Sequence, residues 1–193
     1  MEKLQFNNGL ILSLVLGCSL IGCTQPPLAD DTAHFFALDT SESAKEIHAD
    51  LGSDMRYELM QVPANGQVVV FRFDSSPAEV HAGSPPSSEE ETVHLIKRMM
   101  EHSSNTNGTN LARLLKVMDE SQKRIGKPFA ISIYSDCGIE NMTQEEIASA
   151  QEIVKRWESD SKFQGMTLYG IRDGWREKFR QIIPLKDDLF QIK

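Results

Sequence analysis

The chain has 193 residues and a formal net charge of −8, and 40% of its residues are hydrophobic and 25% charged. This composition is typical of a globular protein, and the length suits one domain of ordinary size with its own core. The acidic balance and the lack of a basic run argue against nucleic acid or an anionic membrane surface as a partner. Both are bound by clusters of Lys and Arg.

The first 22 residues have the pattern of a bacterial lipoprotein signal peptide. Lys3 precedes an apolar run at residues 10–22, which is too short to span a bilayer but suits a signal-peptide core. The run ends in "LIGC", which resembles a lipobox. The resemblance implies cleavage before Cys23 and lipid on its thiol and new amino group. An ordinary signal peptide with an incidental cysteine is the alternative.

Residues 23–32 form a tether, since they combine paired prolines with two acids. We expect the folded domain at residues 33–193, held close to a membrane of the bacterial cell envelope on its periplasmic or outer face. Cys137 is the third cysteine of the chain. Once Cys18 is removed with the signal and Cys23 is acylated, no internal disulfide can form.

Strand and helix patterns alternate along the domain in the order β-α-β-β-α-α-β-α-β-α. Strands are predicted at residues 34–38, 67–74, 78–82, 127–136 and 165–171, and helices at 43–62, 92–102, 111–126, 142–157 and 174–184. The tail after residue 184 is ambiguous. The fold class is therefore α/β, a doubly wound, mostly parallel sheet covered by helices on both faces. The close pair at 67–74 and 78–82 predicts one antiparallel edge strand.

Three polar segments fall at strand-to-helix junctions of this pattern. Asp39-Thr40-Ser41-Glu42-Ser43 follows the first strand, "NGTN" at residues 107–110 opens a helix, and "SDCG" at residues 135–138 follows the fourth strand. In open α/β sheets, ligands bind beyond the carboxyl ends of the strands, where the strand order reverses. Asp39, Ser41 and Ser43 are also residues that commonly cap a helix start, so capping is a second interpretation.

Together, Asp39-x-Ser41-x-Ser43, Thr109 and Asp136 resemble the metal-ion-dependent adhesion site (MIDAS) of von Willebrand factor type A (VWA) domains. The resemblance covers the chain from about residue 33 to the last helix, and implies Mg²⁺ or Mn²⁺ at the site. Hard oxygens are the ligands that Mg²⁺ prefers. Because the hydroxyls are neutral, two acids only balance the metal. An outside Asp or Glu of a protein partner can then be captured without bond breaking.

Two departures from the family pattern leave a degenerate metal site as an alternative. Glu42 stands where the family commonly has Gly, and Cys137 follows Asp136 where Gly is usual. The extra acid can either tighten metal binding or repel an acidic partner. Because Cys137 replaces the usual Gly, the sequence does not determine the geometry of the loop that carries Asp136.

An enzyme is the other alternative, namely a Mg²⁺-dependent phosphatase of haloacid-dehalogenase type. Such enzymes also place an Asp after the first strand, but they need D-x-D, and Ser41 stands at the second position. They also need a closing acid pair, for which Asp187-Asp188 is the candidate. The five histidines are scattered and make no H-x-x-x-H pair.

Overall fold

The computed structural model describes residues 31–101, 108–136, 142–172 and 174–193. The predicted signal peptide, Cys23, most of the predicted tether and Cys137 lie outside the described residues. The strands are β1 (Ala33–Asp39), β2 (Gln67–Phe73), β3 (Ala78–Gly83), β4 (Phe129–Tyr134), β5 (Phe163–Tyr169) and β6 (Phe190–Ile192). The helices are α1 (His48–Leu59), α2 (Glu89–Glu101), α3 (Leu111–Ile125), α4 (Gln144–Glu158) and α5 (Arg176–Ile182), and a short 3-10 turn (Lys45–Ile47) precedes α1.

The strands form a single sheet in the order β3-β2-β1-β4-β5-β6. β3 runs antiparallel to β2, and the other neighbours are parallel. The fold class predicted from the sequence is thus confirmed, and the ambiguous tail supplies a sixth strand. The chain builds one side of the sheet from β1 outward, then crosses to β4 and builds the other side. The carboxyl ends of β1 and β4 therefore meet at the switch point in strand order.

Side chains on the two faces of the sheet build two separate hydrophobic clusters. Phe35 belongs to the cluster that contains the buried faces of α3, α4 and α5. Phe36 and Leu38, on the opposite face of β1, pack in the cluster with α1 and α2. All seven residues of β1 are buried, as expected for a central parallel strand covered on both faces. The result is a three-layer α/β/α arrangement.

The ends of helix α3 and the start of helix α4 lie at capping residues that the sequence indicates. Asn110 caps α3 by accepting a hydrogen bond from the amide of Arg113, and Gly126 ends the helix in the left-handed region at φ 70°. Thr143-x-x-Glu146 is the sequence pattern of a capping box, and this box is present at the start of α4. The N-terminal caps therefore fix where α3 begins after Thr109 and where α4 begins after the loop that follows β4.

The buried side of α2 differs from the expected one. The sequence pattern places Val93, Ile96 and Met100 on one helix face, but the buried residues are Thr92, Leu95 and Met99. Val93 is 44% exposed, and together with Ile96 and Met100 it lines a groove between α2 and α1. Both stripes have spacings of three and four residues, so periodicity alone does not choose between them. No helix among the described residues has the length and apolar content needed to cross a membrane.

Candidate metal centre

The loop after β1 turns the oxygens of Asp39, Ser41 and Ser43 toward one another. The amide of Ser41 donates a hydrogen bond to Oδ1 of Asp39 over 2.9 Å. The hydroxyls of Ser41 and Ser43 lie 3.0 Å apart. Asp39 and Ser41 are fully buried, whereas Ser43 is exposed. The alternating spacing thus produces a compact oxygen cluster, with Ser43 on its solvent side.

The capping interpretation of these three residues is wrong. The 3-10 turn begins after Ala44 and α1 begins after Ile47, and neither start receives a side-chain hydrogen bond from the described residues. Several residues separate the oxygen cluster from the first amides of α1, so the side chains do not reach them. The oxygens of Asp39, Ser41 and Ser43 are therefore not committed to stabilising the helix.

The loop after β4 joins this cluster through Ser135. Its hydroxyl donates a hydrogen bond of 2.5 Å to Oδ2 of Asp39, and its amide donates to the carbonyl of Tyr169 over 3.0 Å. Asp136, the next residue, is 2% exposed. The second acid of the candidate site is thus held next to a residue that contacts the first acid directly.

Thr109 lies in a third loop at the same edge of the sheet. Thr109 is 1% exposed and directly precedes Asn110, whose amide donates to the carbonyl of Asp74 just beyond β2. In the same way, the amide of Thr40 donates to the carbonyl of Phe73 at the end of β2. Backbone hydrogen bonds therefore tie both the loop after β1 and the loop that carries Thr109 to the end of β2.

Burial raises the pKa of the Asp39 carboxyl from 3.8 to about 6. Hydrogen bonds from Ser135 and Ser41 act in the opposite direction, and the nearby charge of Asp136 raises the pKa further. The removal of the carboxylate from water thus outweighs the hydrogen bonds that it receives. A divalent cation at this position would favour the ionised form, because its charge dominates the local electrostatics.

The residues present fit a hard divalent cation. Asp39, Ser41, Ser43, Thr109 and Asp136 offer only oxygen atoms, which suits Mg²⁺ or Mn²⁺ and not a metal that prefers sulfur or imidazole. Two carboxylates match the charge of one such ion. Within the described ranges, no group of three or more His, Cys, Asp and Glu residues could hold a metal. A site here must therefore depend on the hydroxyls.

Glu42, the residue that departs from the family pattern, is turned toward solvent. Its carboxylate pairs with the ammonium of Lys45 over 3.1 Å, and both side chains are more than half exposed. Exposed pairs of this kind contribute little to stability. The pair does, however, partly neutralise the additional negative charge beside Ser41 and Ser43.

Two residues at the site lie outside the ligand set predicted from the sequence. Ser135 carries a usable signal, since it directly precedes Asp136 and follows a predicted strand. Arg172 carries none, because it lies beyond β5, far along the chain. Its Nη2 lies 3.5 Å from Oδ2 of Asp136 and donates to the carbonyl of Ser43 over 3.4 Å.

The acid pair required by the phosphatase alternative lies elsewhere. Asp187 is exposed and pairs with Arg180 over 2.7 Å, in the turn that enters β6. Because β6 runs parallel to β5, this turn lies at the amino edge of the sheet, opposite the edge that carries Asp39. The fold therefore does not bring Asp187 and Asp188 to the candidate metal centre.

Comparisons with known proteins find likeness in structure only. No family model and no curated protein sequence matches the chain. A von Willebrand factor type A protein from Catenulispora acidiphila superposes with a TM-score of 0.61 at 14% identity, over 86% of this chain and 39% of that one. Proximal thread matrix protein 1 from the mussel byssus was solved with a zinc-occupied MIDAS motif. It superposes with a TM-score of 0.62 at 14% identity, over 84% of this chain and 43% of the mussel chain.

The pilus adhesin SpaC from Lactobacillus rhamnosus GG gives a TM-score of 0.62 at 10% identity, over 86% of this chain and 28% of the adhesin. This chain thus spans less than half the length of each of these three proteins. At such identities the likeness shows the fold. The described residues have a VWA-like fold, as the resemblance in the sequence implied.

Proposed function

We propose that the domain binds Mg²⁺ or Mn²⁺ through Asp39, Ser41, Ser43, Thr109 and Asp136, and that the ion holds a carboxylate of a protein partner. The observation that carries the proposal is the buried carboxylate of Asp39. A charge removed from water is costly unless a counter-charge compensates for it, and its hydrogen bonds leave the pKa raised. A divalent cation supplies the missing compensation.

The composition of the ligand set favours capture over catalysis. Three of the five residues would bind the ion through neutral hydroxyl oxygens. The ion therefore keeps an affinity for one more anionic oxygen. Ser43 lies on the exposed side of the cluster, where a partner can approach. Support comes from the mussel protein with a zinc-occupied MIDAS motif and from the adhesin, which share the fold.

Metal binding is tested by the melting temperature of the purified chain. Mg²⁺ or Mn²⁺ at millimolar concentration should raise the melting temperature, because a ligand that binds only the folded state stabilises it. Asp39→Ala should abolish the rise. Asp50→Ala, which removes an exposed acid in the first turn of α1, should retain it. No rise in the unaltered chain would contradict the proposal.

Partner capture is tested by retention of membrane-extract proteins on the immobilised chain. A specific partner should be retained with Mg²⁺, released by chelator and lost in Asp39→Ala.

The phosphatase alternative predicts turnover of p-nitrophenyl phosphate that Asp39→Asn removes. Such turnover would favour an enzyme, although the position of Asp187 and Asp188 speaks against it.

We further propose that the domain is anchored by lipid at Cys23 in a membrane of the cell envelope. The support is the "LIGC" sequence after a short apolar run. Cys23 lies outside the described residues, so the test is chemical. The full chain, produced in a bacterium fed with labelled fatty acid, should carry the label. Cys23→Ala should lose it and Cys18→Ala should keep it. A labelled Cys23→Ala variant would refute the anchor.

A further inference from the structure

The side chain of Arg172 reaches two parts of the candidate metal centre from a fourth loop. Its Nη2 contacts the carboxylate of Asp136 at 3.5 Å and the carbonyl of Ser43 at 3.4 Å. Asp136 is almost fully buried, whereas the side chain of Arg172 is 49% exposed. The guanidinium thus spans the boundary between the buried oxygen cluster and the solvent, next to the exposed Ser43.

The two contacts of Arg172 are loose. Both distances exceed the 2.7–3.2 Å that is typical of a strong N–H···O hydrogen bond. Within the described ranges, both contacts use Nη2, and a guanidinium has five N–H donors in a planar fork. The group therefore has donors to spare and can shift toward an incoming anion without losing a tight bond.

We infer that Arg172 is the second anchor for the captured carboxylate, an inference that rests on the proposed function. A carboxylate has two oxygens, and a metal that binds one of them leaves the other available. A guanidinium beside the metal can donate to that second oxygen, and this charge-assisted geometry is the strength of Arg over Lys. Arg172 thereby makes the site selective for carboxylates over neutral oxygen ligands.

A cation at the site also changes the electrostatic attraction between Asp136 and Arg172. With a divalent ion nearby, the attraction of Asp136 for the guanidinium weakens, because the two cations compete for the same negative charge. Arg172 then gains from an additional anion. Metal binding and carboxylate binding therefore reinforce each other through this one side chain.

The test uses the full chain saturated with Mn²⁺ and acetate as the probe. Protein-bound Mn²⁺ broadens the methyl proton signal of acetate that binds beside it, and a titration gives the acetate affinity. Arg172→Gln should weaken acetate binding ~10-fold, the factor expected for the loss of one hydrogen bond between charged groups. Arg172→Lys should recover part of it. Arg176→Gln, which removes an exposed arginine of α5, should leave it unchanged.

A separate titration with Mn²⁺ alone keeps this inference distinct from the proposed function. Arg172→Gln should bind Mn²⁺ at least as tightly as the unaltered chain, because a competing positive charge is gone. If the unaltered chain binds no Mn²⁺, both proposals fall. If every variant binds Mn²⁺ but Arg172→Gln keeps its acetate affinity within twofold, the inference alone is overturned, and Arg172 serves only to balance Asp136.

Discussion

The hydroxyl of Ser135 donates a hydrogen bond of 2.5 Å to Oδ2 of Asp39, which joins the end of β4 to the end of β1. The other carboxylate oxygen, Oδ1, accepts the amide of Ser41. Both oxygens thus have a donor, yet burial still raises the pKa of Asp39 to about 6. Neutral donors stabilise the carboxylate but do not replace the water it has lost.

The raised pKa of Asp39 makes the stability of the metal-free domain depend on pH. The folded state holds the proton more tightly than the unfolded chain, whose value is 3.8. The free energy of unfolding should therefore fall by about 2 to 3 kcal/mol as the pH rises from about 4 to about 6, and stay lower above that range. Asp39→Asn should remove this dependence in urea unfolding, whereas Asp50→Asn should leave it. A fall of the same size in Asp39→Asn would assign the dependence to another group.

His34 has the opposite effect on stability: it lowers the free energy of unfolding as the pH falls through the acid range. It is buried in β1, its Nε2 finds no hydrogen-bond partner among the described residues, and burial lowers its pKa from 6.5 to about 4. The unfolded chain takes up a proton first as the pH falls. This should cost about 2 to 3 kcal/mol of stability between pH values of roughly 6.5 and 4.

Replacing His34 with Leu should flatten the acid limb of the stability curve. Chemical unfolding at several pH values measures the change, and His94→Leu, at an exposed position on α2, is the control. Because Asp39 and His34 oppose each other in this window, the two substitutions should shift the curve in opposite senses. Parallel shifts would contradict the assignment.

Glu58 fastens α1 to the sheet through three hydroxyl groups. Its carboxylate accepts hydrogen bonds from Ser132 at 3.0 Å and from Tyr134 at 2.9 Å, and also from Tyr169. Glu58→Ala should destabilise the domain by about 2 to 4 kcal/mol, since it leaves these hydroxyls without their acceptor. Glu58→Gln, which keeps one acceptor oxygen, should cost less.

Thermal and urea unfolding measure the effect of the Glu58 substitutions. The rise in melting temperature on adding Mg²⁺ should be the same in Glu58→Gln as in the unaltered chain, because Glu58 takes no part in the candidate metal centre. A lost metal response in that variant would mean that the position of α1 controls the site.

Gly170 lies where the chain leaves β5 toward Arg172, and its backbone requires glycine. Its φ is +84°, and a Cβ there would lie 2.5 Å from Cδ2 of Leu51 and 3.2 Å from the carbonyl of Ser135. Gly170→Ala should therefore cost about 2 to 4 kcal/mol, from strain and from the clash together.

Gly174 is the matched control for Gly170. Its φ is +91°, but none of the described residues has an atom within 4 Å of an added Cβ. Gly174→Ala should cost only the backbone term, about 1 to 2 kcal/mol. Urea unfolding of both variants separates the conformational term from the steric one, and equal losses would show that the contact with Leu51 is relieved easily.

The order of elements could be predicted because alternation of strand and helix patterns is a local signal. β1 and β4 end within two residues of Asp39 and Asp136, as their apolar runs indicate. The buried stripe of α2 could not be predicted, because two stripes have the same spacing and only the packing against the rest of the domain decides between them. The short β6 could not either, since three residues carry too little pattern.

Much of the candidate site could be proposed from the sequence because its residues follow predicted strands. What the sequence could not provide is how the loops are connected. The hydrogen bond between Ser135 and Asp39, and the approach of Arg172, depend on which strands are neighbours in the sheet. The direction of Glu42 likewise depends on the pairing with Lys45, which no motif specifies.

The bond between Ser135 and Asp39 joins residues 96 positions apart. A chain in which β4 has not yet docked beside β1 thus lacks half of the candidate site, however complete its helices are. Contacts of such long range form late and slow the search for the native state. A cation that binds at this centre would recognise only chains in which β4 lies beside β1. The rate of metal capture during refolding would then report how fast these two strands come together.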